Sequence, residues 1–139
     1  MILCATRGGG ESTTTQNIAI QLAKETGEPL AFLYVADSSF LDKTASAMLV
    51  DVEKELSNMG EFLMSMAAEK AEREGVKTTT VVRCGVLRDI LPSVVKELKT
   101  ETIVLGKPAG ERSRFNTQEL DQFVEHLKQE TGAEVLLAG

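Results

Sequence analysis

Residues 30–35 read LAFLYV, a run that is apolar at every position. A strand exposed on one face alternates apolar and polar residues, whereas a strand covered on both faces is apolar throughout. This segment therefore predicts a strand that is buried on both sides. Comparable short apolar runs recur along the chain. They predict strands at Ile2–Thr6, Leu30–Val35, Val76–Cys84, Thr102–Leu105 and Val135–Ala138.

Longer amphipathic segments separate these strands and predict helices. The helices are expected at Thr13–Thr26, Ala45–Glu74, Leu87–Lys99 and Asn116–Thr131. The first is expected to bury a stripe of Ile18, Ala19, Leu22 and Ala23, and the second a stripe of Leu49, Val52, Leu56, Met59, Leu63 and Met66. Strict alternation predicts an α/β fold, a Rossmann-like, doubly wound sheet of five parallel strands with four helices. The spacing alone does not give the strand order.

The composition of the chain limits its partners. It has 139 residues, a net charge of −6 and 4% aromatic residues, and this length predicts one domain over residues 1–139. Few aromatic side chains and an acidic balance argue against nucleic-acid and membrane partners. The sequence shows no charged leader and no apolar stretch of about 18 residues, so we expect a cytoplasmic protein.

Neither the cysteines nor the histidine predict a metal or catalytic site. Cys4 and Cys84 lie far apart in apolar, strand-like surroundings without a C-x-x-C pair, so we expect two buried free thiols. His126, the one histidine, lies among charged residues of the last predicted helix, and an exposed position is expected there. No nucleophile with a base and an orienting group is recognisable, so we expect no catalytic residues and at most slow nucleotide hydrolysis.

A ligand site is expected at the carboxyl ends of the strands. Doubly wound sheets bind ligands at this edge, where the direction of strand succession reverses. Five of the six arginines and one lysine lie at or just past predicted strand ends, namely Arg7, Arg83, Arg88, Lys107, Arg112 and Arg114. Guanidinium groups and glycine-rich loops gathered at one edge suit an anion such as phosphate. The alternative is that each arginine forms an ordinary ion pair with an acidic loop residue.

Three nucleotide-binding patterns match the first loop only in part. Residues 8–13 supply two of the three glycines of the G-x-G-x-x-G fingerprint. The hydroxyl run at residues 12–15 suggests flavodoxin-like phosphate binding, but the chain has only one tyrosine to stack on a flavin. Arg7–Ser12 resembles the S-G-G-x-D-S loop of ATP pyrophosphatases, with Glu11 in place of the aspartate.

Over its full length the sequence resembles the universal stress protein family, within the adenine nucleotide alpha hydrolase-like (HUP) superfamily. Ile2–Ala5, followed by a glycine loop, resembles the first strand of that family. Val82–Gly85 followed by Ile90 resembles its V-x-x-G…I segment. Ile103–Gly106 resembles its I-V-M-G strand, and Glu134–Leu137 resembles its P-V-L-V ending.

The resemblance implies a strand order of 3-2-1-4-5, which brings together the loops after strands one and four. It also implies a homodimer joined through the last strand, Val135–Ala138. Some members of the family bind ATP through G-x-x-G, nine residues and G-[S/T]. Here Gly106 matches, but Ala109 replaces the second glycine, the final pair is absent, and Arg7 stands where the family has an aspartate. The ATP motif is therefore degraded.

Together, these features suggest a regulatory or binding protein that holds an adenine nucleotide or another phosphate-bearing ligand. ATP or AMP would be the cofactor, with Mg²⁺ in the case of ATP. The predicted ligand-binding residues are Thr6, Arg7, Gly8, Gly9, Gly10, Val35, Gly106, Lys107, Gly110, Arg112, Ser113, Arg114, Asn116 and Thr117. Two alternatives stay open, a dimeric interaction protein with a vestigial pocket and a small ATP-pyrophosphatase-type enzyme that uses Arg7–Ser12.

Overall fold

A computed structural model describes residues 1–5, 12–36, 46–106 and 117–138. Strands and helices alternate along these segments as the sequence predicts, and their described ends differ from the predicted ones by one or two residues. The strands are β1 (Ile2–Ala5), β2 (Leu30–Ala36), β3 (Thr78–Cys84), β4 (Thr102–Gly106) and β5 (Glu134–Ala138). The helices are α1 (Ser12–Thr26), α2 (Ser46–Arg73), α3 (Leu87–Glu97) and α4 (Thr117–Thr131).

The five strands form one parallel sheet in the order β3-β2-β1-β4-β5. β1 lies at the centre, where Ile2 pairs with Leu30 of β2 on one side and with Thr102 of β4 on the other. This order is the one that the family resemblance implies. It places β3 and β5 at the two edges of the sheet.

The helices cover both faces of the sheet, in pairs. α1 and α2 pack on the face formed by residues such as Cys4, Phe32 and Val104. α3 and α4 pack on the opposite face, against residues such as Leu3 and Ile103. Alternate residues of the central strands point to opposite cores, which is why those strands are apolar at every position. The prediction of a doubly wound sheet is confirmed.

The face that α2 turns toward the sheet agrees only in part with the predicted one, because Leu56 and Leu63 of the predicted stripe pack against this core but other members do not. Met64, Ala67 and Ala71 are buried in the core that α2 shares with β2. Two members of the predicted stripe, Met59 and Met66, are 47% and 55% exposed. The two alanines make room for the bulky side chains of the strand, and Met64 is the one methionine among these three that faces the sheet.

A similar shift occurs in α1. Ala19 and Ala23 are buried as predicted, but Ile20 is buried in addition and Ile18 is 40% exposed. The alanines again set the contact with the sheet, because their short side chains let the helix axis come close. Leu22 of the predicted stripe is partly buried against the same core, so Ile18 is the one member of that stripe that faces solvent.

Gly60 is the point of closest approach between α2 and β2. Its Cα lies against the ring of Tyr34, and a Cβ built on Gly60 would overlap the Cδ1 atom of that ring. Tyr34 is itself buried beneath the helix. Glycine lowers the intrinsic helix propensity of α2, but the packing of α2 on Tyr34 requires glycine at this position.

α2 ends in a Schellman motif at Gly75. The N–H of Gly75 donates to the carbonyl of Glu72 at 2.9 Å, and the N–H of Val76 donates to the carbonyl of Ala71 at 3.1 Å. Gly75 has φ = +82°, a backbone conformation that suits glycine. Val76 is thereby held in the core, and β3 begins at Thr78, two residues later than predicted.

A helix that crosses a bilayer needs about 20 consecutive, mainly apolar residues. Within the described ranges, no helix combines enough length with enough apolar character to cross a membrane.

Gly60→Ala is expected to lower the free energy of unfolding. Alanine favours a helix interior by about 1 kcal/mol over glycine. The added methyl group, however, overlaps the Tyr34 ring, and overpacking of this kind costs about 1–3 kcal/mol. Urea denaturation measures the balance. Ser65→Ala, at an exposed position of the same helix, is the control and should change stability by less than about 0.5 kcal/mol. A Gly60→Ala protein more stable than wild type would contradict the close contact.

Candidate functional site

The strand order creates a crevice between β1 and β4 at the carboxyl edge of the sheet. After β1 the chain passes to α1 on one face, and after β4 it passes to α4 on the other face. When two adjacent strands are followed by helices on opposite faces, the position between them is called the switch point. Doubly wound sheets bind ligands there. In the sequence, residues 6–11 follow β1 and residues 107–116 follow β4, and these two stretches carry the glycines and arginines on which the predicted site depends.

The described floor of the crevice is a contact between β4 and the first turn of α1. Gly106, the last residue of β4, is exposed, and a Cβ built on it would lie 2.8 Å from the Oγ1 atom of Thr15. Thr15 is only 3% exposed. Glycine at this position therefore allows the hydroxyl of Thr15 to come up against the strand end.

Two helices begin at this edge. α1 starts at Ser12 and α4 at Thr117, and each runs back antiparallel to the strand before it. The first N–H groups of a helix have no partner within the helix, and the helix dipole makes that end positive. Both ends therefore contribute an electrostatic field that favours an anion at the carboxyl edge.

Three of the predicted ligand-binding residues fall in the described part of the chain. Gly106 forms the crevice floor, and Thr117 is the first residue of α4. Val35 lies near the end of β2, partly buried in the core beneath α3 and α4. The other predicted residues lie outside the described residues, namely Thr6, Arg7, Gly8, Gly9, Gly10, Lys107, Gly110, Arg112, Ser113, Arg114 and Asn116.

Thr15 is a crevice residue that the sequence analysis did not select. The signal available was the hydroxyl run at residues 12–15, in which one threonine faces the sheet because α1 is amphipathic. Thr13 and Thr14 of the same run are exposed. The run alone does not show which hydroxyl faces β4, since that depends on the rotation of α1 about its axis.

Arg83 does not lie in the crevice. It belongs to β3, two strands away from β1, and its Nη2 atom lies 3.2 Å from Glu97 Oε1 on α3. Arg83 Nη1 also donates to the carbonyl of Val82. For this residue the ordinary ion-pair alternative is correct, with a helix residue as the partner. Arg88 is exposed in the first turn of α3.

The two cysteines differ in their surroundings. Cys4 is fully buried in β1, as predicted, and burial raises the pKa of its thiol to about 12. The prediction that Cys84 is buried is wrong, because β3 is an edge strand and its last residues are exposed. The Sγ atom of Cys84 lies 3.2 Å from Ser57 Oγ on α2. Only Cys84 presents an accessible thiol.

His126 and the metal-binding residue types give no further site in the described segments. His126 is 68% exposed, as predicted, and its Nε2 atom lies 3.1 Å from a carboxylate oxygen of Glu130. Across residues 1–5, 12–36, 46–106 and 117–138, no three His, Cys, Asp or Glu side chains are arranged to hold a metal ion.

Comparisons with known proteins agree with this architecture. The sequence model of the Universal stress protein family matches residues 1–135. A comparison with curated protein sequences yields no match. Among solved structures, the universal stress protein UspA from Lactobacillus plantarum is similar with a TM-score of 0.80 and 14% identity, over 99% of this chain and 96% of that chain.

Two other similar structures are complexes with adenine nucleotides. A universal stress protein in complex with cAMP has a TM-score of 0.63 and 15% identity, over 98% of this chain and 93% of that chain. The universal stress protein from Archaeoglobus fulgidus in complex with dAMP has a TM-score of 0.62 and 14% identity, over 99% of this chain and 96% of that chain. At these identities the likeness establishes the fold.

Gly106→Ala is expected to destabilise the contact between β4 and α1, because its Cβ would come within 2.8 Å of Thr15 Oγ1. Thr15→Ala removes that oxygen, so the double variant should recover stability that Gly106→Ala alone loses. Neighbouring residues of this kind show coupling of about 0.5–3 kcal/mol. Thermal denaturation of the wild type, both single variants and the double variant measures it. Strictly additive losses would contradict the contact.

Proposed function

The chain belongs to the universal stress protein family, and on that premise we propose that it is a regulatory or binding protein for an adenine nucleotide or a similar phosphate-bearing ligand. We place this function in the cytoplasm and in a homodimer of single-domain chains. The ligand lies between the loops that leave β1 and β4. Its phosphate groups face residues 7–10 and 107–114, and Val35, Thr6 and Asn116–Thr117 complete the site.

The observation that carries the proposal is the neighbourhood of β1 and β4 in the strand order. Ala5, the last residue of β1, pairs with Leu105, the residue before the last of β4. Both loops therefore begin close together, which supports a site shared by both. Gly106 is exposed at the end of β4, which leaves part of this residue accessible to a ligand. Similar proteins in complex with cAMP and dAMP support the adenine nucleotide class.

The charges of the two loops support an anionic ligand despite the degraded ATP motif. Arg7, Lys107, Arg112 and Arg114 lie in these loops, within a chain whose net charge is −6. Guanidinium groups bind phosphate through two parallel hydrogen bonds, whereas the family motif relies on glycines and hydroxyls. Direct charge in the loops therefore compensates for the missing motif residues. When ATP is the ligand, Mg²⁺ accompanies its phosphates.

The thermal midpoint measured with and without AMP, cAMP or ATP with Mg²⁺ tests this function. A ligand at about 100 times its Kd should add about 2.7 kcal/mol to the free energy of unfolding. Arg112→Ala and Arg114→Ala should weaken the effect, because each removes a guanidinium group facing phosphate. Arg73→Ala is the matched control, since Arg73 lies on α2 and pairs with Glu69.

Three outcomes would contradict this proposal. Absence of a shift with any nucleotide at millimolar concentration would favour the interaction protein with a vestigial pocket. An equal loss in Arg73→Ala would show that overall charge, not the loop, is responsible. Release of pyrophosphate from ATP would favour the enzyme alternative at Arg7–Ser12.

The proposed dimer uses the edge strand β5. Leu136 is 39% exposed on this strand, and an apolar edge is normally covered. One chain has a mass of 15.1 kDa, and light scattering should give a mass near twice that value. Leu136→Lys should shift the mass to the monomer, because it places a charge in the interface. Ile18→Lys, at a position that is 40% exposed on α1, should leave the dimer intact. A wild-type monomer at high concentration would refute this interface.

A further inference from the structure

The outer edge of β3 carries backbone groups that no other described strand pairs. The N–H of Leu30 donates to the carbonyl of Lys77, and the N–H of Gly85 donates to the carbonyl of Ala36. In a parallel ladder, alternate residues bond to the same neighbour, so residues 79, 81 and 83 also face β2. The N–H and C=O groups of residues 78, 80, 82 and 84 therefore point outward, beyond the sheet.

This edge is long, and none of the usual protective features lies on the strand itself. Edge strands are normally short, or they are guarded by lysine, proline or a bulge. β3 has seven residues, TTTVVRC, against four in the central strand β1. Its one charged residue, Arg83, is held by Glu97 of α3 on the opposite face of the sheet. Nothing in β3 itself prevents another strand from pairing with it.

α2 overhangs the same edge and forms a cleft of about 300 Å³ with it. The side chains of residues 78, 80, 82 and 84 face α2, and the Oγ1 atom of Thr78 donates to Glu72 Oε1 at 3.0 Å. The cleft is lined by Ser65, Ala68, Glu69, Glu72, Thr78 and Thr80. A strand added at the edge would place every second side chain, about 7 Å apart, under this overhang.

The lining of the cleft selects a cationic side chain. It offers two carboxylates and three hydroxyl groups, and none of its six lining residues is basic. Glu69 pairs with Arg73 at 2.7 Å, but both side chains are more than half exposed, and such pairs are weak. A carboxylate has about four acceptor positions, so both glutamates retain capacity for a further donor.

We propose that the outer edge of β3 is a docking surface for an extended basic segment of a partner protein. The segment adds as a sixth strand through the outward backbone groups of β3. One Lys or Arg side chain of the segment enters the cleft between β3 and α2 and binds Glu69 and Glu72. This surface is separated from the β1–β4 crevice by β2, so it is independent of the proposed nucleotide site.

Amide hydrogen exchange with a synthetic peptide of alternating lysine and valine tests this docking. In the free protein, the amides of Thr80 and Val82 should exchange quickly, and those of Thr79 and Val81 slowly. At ten times its Kd, the peptide should slow exchange at the outward amides about tenfold and leave the inward amides unchanged. A peptide of alternating glutamate and valine should bind far more weakly.

Two sets of variants locate the contact. Glu69→Gln with Glu72→Gln should weaken binding of the lysine peptide at least about threefold, because both exposed ion pairs with its ammonium group are lost. Glu25→Gln with Glu125→Gln, on α1 and α4, changes the net charge equally and should leave binding intact. Thr80→Pro removes an outward N–H only, so it should abolish docking while the pairing of β3 with β2 remains.

Several results would overturn the proposal. One is binding of the lysine peptide without protection of the outward amides. Another is equal binding of the glutamate peptide, or an equal loss of affinity in the Glu25→Gln, Glu125→Gln control. Outward amides that are already protected in the free protein, more strongly at higher protein concentration, would assign the edge to a second copy of this chain.

Discussion

All four residues of β1 are buried, with strands paired on both sides and helices over both faces. A strand enclosed in this way has no solvent-facing side chain, and its helices must approach closely to exclude water. Alanines of α1 and α2 and Gly60 provide that approach on one face. The enclosure ends at the carboxyl ends of β1 and β4. There Gly106 is exposed, and the next helices, α1 and α4, lie on opposite faces of the sheet.

The sequence predicted the strands well and the helix faces only in part, for a physical reason. Strands buried on both sides, such as Leu30–Ala36, are apolar at every position, a pattern that few other structures share. The face of α2 was inferred from large apolar residues, but it also meets the sheet through Ala67 and Ala71. Met59 and Met66 of the predicted stripe remain exposed. The exposure of Cys84 depends on β3 being an edge strand. Strand order came from the family resemblance, because local spacing carries no information about which strands pair.

The location of the crevice could be predicted from the fold, whereas its individual contacts could not. Parallel sheets place their sites at the carboxyl ends, so Gly106 could be selected from sequence. Thr15 could not, because its contact with Gly106 depends on the rotation of α1 by a fraction of a turn. Arg83 shows the reverse case. It follows the same placement rule as the loop arginines, yet the edge position of β3 directs it to Glu97.

Tyr34 is an intrinsic spectroscopic probe of this chain. The sequence has one tyrosine and no tryptophan, so near-ultraviolet absorbance and fluorescence arise chiefly from this single side chain. Its ring lies beneath α2 at Gly60, and burial raises the pKa of its hydroxyl above the ordinary value. A change in the tyrosine spectrum during a pH titration therefore reports the separation of α2 from β2. It does not report an average over the molecule. The unmodified protein can thus reveal motion of one helix without any attached label.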